Sequence, residues 1–162
     1  MGFATHLGPW LLGTVKNTTG TTAGTIRNTG ATVVTQTGVT TLNDTTATTL
    51  FVLPAGAMIN NFLENITTAY SGTTGNTITV KIGSTTLGTV GGATTTPLAV
   101  GRATFNITDA SIATYQNVGT TDAIVTVTYA CAGTASGGAA SVNCVYTVRD
   151  SDGSANPSST QA

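Results

Sequence analysis

The chain has 162 residues, of which 7% are charged and 40% hydrophobic, and its net charge is −1. That length suffices for one β-domain with a packed core and an extension. The aliphatic content excludes ordinary disorder, and the near-zero charge excludes a long-range field for nucleic acid or an anionic membrane.

Threonine supplies 39 of the residues. Its branched Cβ suits a pleated sheet, and its abundance leaves few groups for acid–base, phosphate or metal chemistry. Residues 1–45 open on an apolar cluster of Phe3, Leu7, Trp10, Leu11, Leu12 and Val15. The stretch from Leu7 to Leu12 is short, is interrupted by Pro9 and follows no Lys or Arg. It therefore reads neither as a membrane span nor as a signal peptide, and synthesis in a cytoplasm is expected. The segment continues Thr/Gly-rich with sparse apolar anchors at Ile26, Val33, Val34, Val39 and Leu42. These can add strands but are too few to bury a core alone. The segment reads as an extended N-terminal arm. Phe3, Leu7, Trp10, Leu11 and Leu12 either complete the domain's own core or anchor the arm on a neighbouring subunit, where aromatics serve well.

Residues 46–150 carry the stronger strand signals. Thr48–Leu53 runs into a turn at Pro54-Ala-Gly56, and Met58–Tyr70, whose apolar spacing is ambiguous, reads as a strand. Thr77–Ile82 alternates with Ile78, Val80 and Ile82 on one face, and Ala103–Ile107 alternates with Phe105 and Ile107 together. The glycines at Gly83, Gly88, Gly91 and Gly92 read as turns, and Asp109 reads as the cap of a short helix over 110–117.

Ala123–Cys131 and Ser141–Arg149 both alternate, and a turn at Gly137-Gly138 predicts a hairpin that sets Cys131 against Cys144 and Tyr129 against Tyr146. That register allows a cross-strand disulfide between Cys131 and Cys144. In a chain folded in a cytoplasm the pair reads first as two small buried hydrophobes. Residues 151–162 form a polar tail.

No catalytic, cofactor or metal constellation is expected. His6 is the lone imidazole, with no carboxylate or thiol near it in sequence, and the six acidic residues are scattered apart from Asp150 and Asp152. Asp150-Ser-Asp152-Gly153 lacks the Glu that closes a calcium loop. No phosphate-binding loop, nucleophile elbow or zinc spacing is present.

Leu53-Pro-Ala-Gly-Ala57, Ile66-Thr-Thr-Ala-Tyr70, Ser71-Gly-Thr-Thr-Gly-Asn-Thr-Ile-Thr-Val80 and Val125-Thr-Val-Thr-Tyr129 with Gly133–Gly138 and Val145-Tyr146 resemble the capsid decoration, or cement, proteins of tailed bacteriophages. The likeness spans about residues 48–149. It implies an antiparallel all-β sandwich of jelly-roll type, here with an extended N-terminal arm. It also implies a virion protein on the capsid surface that bridges the major capsid protein, a homotrimer, and no enzymatic activity. The alternative is a tail, fibre or head-tip sandwich that binds a host-surface glycan through Tyr70, Tyr115 and Trp10.

Overall fold

Period-two burial runs through most of the chain. In a computed structural model the described residues are 32–71, 74–92 and 97–148, and they form eight strands and one short helical segment. The strands are β1 (Thr32–Thr41), β2 (Thr48–Leu53), β3 (Met58–Thr68), β4 (Thr74–Ile82), β5 (Thr85–Gly91), β6 (Gly101–Thr104), β7 (Ala123–Ala132) and β8 (Ala139–Val148). Strand orders β1-β8-β3-β6 and β2-β7-β4-β5 define two antiparallel four-stranded sheets. Successive strands alternate between the sheets except β4 and β5, which form a hairpin. This is the arrangement of a jelly roll, the sandwich the resemblance implies.

Alternation decides which side chains fill the space between the sheets. Phe51, Phe62, Phe105 and Tyr115 form the aromatic centre, with Phe62 stacked on Phe51 and edge-on to the other two rings. Leu53, Ile78, Val80, Leu87, Val125, Val127 and Val142 are fully buried around them. Full burial of such a side chain contributes roughly 1.5–3 kcal/mol.

Short contacts close the two sides of the sandwich. On one side the Thr89 N–H donates to Asn106 O at 3.1 Å and the Asn106 N–H to Thr89 O at 2.7 Å, linking β5 to the chain after β6. On the other, Gln36 Nε2 donates to Val52 O at 3.0 Å and to Tyr146 Oη at 2.6 Å, joining β1 to β2. Gly38 permits that approach, because a Cβ there would lie 2.8 Å from Leu50 Cδ2.

Several sequence expectations are corrected. β7 and β8 are not a hairpin: β7 lies between β2 and β4, β8 between β1 and β3, and 133–138 carries the chain from one sheet to the other. Tyr129 accordingly pairs with Ile78, and Cys144 with Gln36 and Phe62. The sandwich begins at β1, inside the segment 1–45 assigned to the arm. Residues 1–31 and 151–162 lie outside the described residues.

Gly88 and Gly91 are strand residues of β5 and not turns, and a Cβ at Gly88 would come within 3.0 Å of Phe105 Cβ. Gly83 does form the β4–β5 turn, with φ at 56°. Phe105 points inward as expected, but Ile107 is exposed because β6 ends at Thr104. Asp109 caps no helix: it is the first residue of a 3₁₀ turn, Asp109–Ser111, that leads into α1 (Ile112–Gln116).

Candidate docking surfaces

The same parity that fills the core populates two broad outer faces. On the β1-β8-β3-β6 sheet, register places Val39, Ser141, Asn65 and Arg102 in one row and Thr37, Asn143, Leu63 and Thr104 in the next. Thr37 Oγ1 donates to Asn143 Oδ1 at 2.6 Å, fixing that pair across the strands. On the β2-β7-β4-β5 sheet, Thr128, Thr79 and Thr89 form one row and Thr126, Lys81 and Thr86 another. Among the described residues, each of these faces presents one cation, Arg102 on the first and Lys81 on the second.

Seven large aliphatics are exposed: Val33, Val39, Val52, Val100, Ile107, Ile112 and Ile124. Val52 and Ile124 are register partners on the outer face of the second sheet. Val33 and Val39 belong to β1 and are 63% and 68% exposed, whereas Val34 between them packs on the core. Sequence reading grouped these three valines as sparse anchors; the strand's period of two would have separated them.

Register also fixes where the flanking segments attach. Thr32, the first residue of β1, pairs with Val148, the last of β8. Residues 1–31 and 149–162 therefore join the sandwich at neighbouring positions of the same end. The anchors Phe3, Leu7, Trp10, Leu11 and Leu12, together with His6, lie in the first of those segments and outside the described residues.

The aromatics considered for glycan contact are core residues. Tyr70 is fully buried, packs on Tyr129 with ring centroids 4.8 Å apart, and donates from Oη to Thr40 O at 3.1 Å. Tyr115 is buried and donates to Leu87 O at 3.3 Å. Burial pushes both phenols up from their ordinary value. Trp10 lies outside the described residues.

Cys131 and Cys144 are free thiols on strands of different sheets. Cys144 faces the core, and burial pushes its thiol up to about 12. Cys131 is partly buried and its Sγ donates to Gly133 O at 3.3 Å. The register that would have set them face to face does not form.

One buried group escaped the sequence reading. Glu64 on β3 is 0% exposed, and neither carboxylate oxygen has a hydrogen-bond partner. Desolvation raises its pKa from 4.5 to about 7. Its parity with Phe62 and Ile66 in a strand was the available signal. Among the described residues no group of three or more His, Cys, Asp or Glu could hold a metal ion, and no helix is long and apolar enough to cross a membrane.

No family model matches the chain, and no curated protein matches it. Among solved structures, a chain of the cyanophage Pam1 capsid asymmetric unit is similar at a TM-score of 0.46 and 17% identity, over 83% of this chain and 98% of that one. That degree of likeness carries no argument about role.

Proposed function

We propose that this chain is a non-enzymatic structural protein of a bacteriophage particle, one that lies on the outside of the capsid and bridges subunits of the major capsid protein. The observation that carries the reading is the pair of outer sheet faces, built from Thr, Ser, Asn and short aliphatics with one cation apiece. A partner can cover such a surface without stripping water from many ions, a cost that otherwise offsets much of the gain from contact. Steering by charge is correspondingly weak. Attachment then depends on contact area and on the number of copies acting together on one shell.

In this reading Phe3, Leu7, Trp10, Leu11 and Leu12 anchor the arm on a neighbouring subunit. At ~25 cal/mol per Å² of apolar surface covered, a cluster of that size contributes several kcal/mol. No cofactor and no nucleic acid takes part. The glycan reading loses two of its three aromatics to the core, since Tyr70 and Tyr115 are buried.

The test is binding of the full chain, and of a chain lacking residues 1–15, to purified shells stripped of the protein. The deletion is expected to keep its thermal unfolding transition and to lose binding. Binding equal to that of the full chain refutes the anchor assignment. Failure of the full chain itself to bind any shell refutes the functional reading.

A further inference from the structure

Each sheet has two edges, and three of the four are blunted. β6 is four residues long. β5 is bridged through Thr89 by Asn106 and is offset by a register shift at Val80/Lys81. β2 carries a shift between Thr49 and Phe51, and its Val52 carbonyl is taken by the Gln36 side chain. Such devices keep a sheet from adding strands.

β1 has none of them. Its ten residues pair with β8 without a single register shift, it has no ladder partner on its other side among the described residues, and its sequence TVVTQTGVTT contains neither a charge nor a proline.

The side of β1 that is open can be read from the ladder. Antiparallel pairing turns alternate residues' backbone groups toward the neighbour and the rest away. The Leu42 N–H donates to Gly138 O at 3.1 Å, one step past the ladder, so even-numbered positions face β8. The Thr41 N–H, odd-numbered, is instead taken by Asp44 Oδ2 at 2.7 Å. Val33, Thr35, Thr37 and Val39 therefore turn their amides and carbonyls to the open edge, and the same four side chains lie on the outer face.

Those four residues read Val-Thr-Thr-Val, a palindrome about Gln36. We infer that β1 is a self-pairing edge: two copies of this chain join through antiparallel β1 strands about a two-fold axis at Gln36. Val33 then lies opposite Val39 of the partner subunit, and Thr35 opposite Thr37 of the partner subunit. These are all odd-numbered positions, so the register that matches side chains is also the one that matches open backbone groups. Valine and threonine cross-strand pairs favour a sheet, and no like charges meet. The contact is isologous and closes at two copies, whereas a trimer needs a different patch on each side of its contact. It does not depend on whether the chain sits on a shell.

The experiment is sedimentation equilibrium of the full chain, of Val39→Lys and of Thr35→Pro. Proline at position 35 removes an amide that faces the open edge and leaves the β8 ladder intact. The parent chain is expected at twice its 16.1 kDa mass and each variant at half the parent value. A parent that sediments as one or three copies overturns the inference, as do folded variants that still dimerise. Amide exchange on the unaltered chain gives an independent reading. Val33, Thr35, Thr37 and Val39 should exchange more slowly as concentration rises, and exchange independent of concentration at those four amides overturns it too.

Discussion

Replacing Glu64 by glutamine should remove the loss of stability that this carboxyl causes between pH 4.5 and 7. The carboxyl lies in the sandwich core with both oxygens unbonded, and burial holds its pKa near 7 against an ordinary 4.5. In the unfolded chain the group ionises from pH 4.5 upward, while in the folded chain it keeps its proton until about pH 7. The unfolded state therefore binds fewer protons over that window, and stability falls as pH rises. The loss is complete above about pH 7 and absent below 4.5. At about 1.4 kcal/mol per pH unit, a separation of roughly 2.5 amounts to about 3 kcal/mol. Glutamine keeps the shape and carries no titrating proton, although its amide is also buried without an evident partner. The informative quantity is therefore the difference between the two chains as a function of pH. Urea unfolding at half-unit steps from pH 4 to 8 measures it. The parent should lose about 3 kcal/mol relative to Glu64→Gln across the window and then run parallel to it. Parallel curves throughout would refute the claim that Glu64 is held protonated by burial.

Two further outcomes follow from the packing. With a thiol-specific reagent at neutral pH the folded chain should show one reactive group, Cys131, and the second, Cys144, should appear only in denaturant, since it is buried and its thiol is pushed up to about 12. Two equally fast thiols, or none in denaturant, would contradict the described environments. Gly91→Ala should destabilise by about 3 kcal/mol in chemical denaturation, because Gly91 has φ at 84° and a Cβ there would run into the carbonyl oxygen of Asn76; a change within measurement error would contradict that geometry.

The sequence carried the elements better than their neighbours. Thr77–Ile82 is legible as a strand because apolar residues at every second position leave one dry face, whatever the strand pairs with. Thr48–Leu53 shows as a short apolar run that ends at a turn, whereas the spacing of Met58–Tyr70 does not by itself separate strand from helix. Alternation is silent about partners, and there the hairpin reading failed. Ala123–Cys131 and Ser141–Arg149 show the same pattern whether a Gly-Gly turn folds them together or the chain crosses to the opposite sheet, and 133–138 does the latter. β1 was read as part of an arm because an edge strand buries one face lightly, so Val34 was its main inward anchor to be seen. The jelly-roll order came from resemblance and not from spacing. Of the candidate surface, the composition announced low charge, but the two rows of threonine and the isolated cations emerge only once register aligns residues far apart in sequence.

The pairing of Thr32 with Val148 also governs how the sandwich bears mechanical load. A pull that separates the two flanking segments acts at one end of the β1–β8 ladder and peels its hydrogen bonds one after another. A pull along β1 against the rest of the fold shears the whole ladder at once and meets far greater resistance. Tethering both ends to one spot removes the peeling force, while tethering them apart concentrates it on the outermost pair.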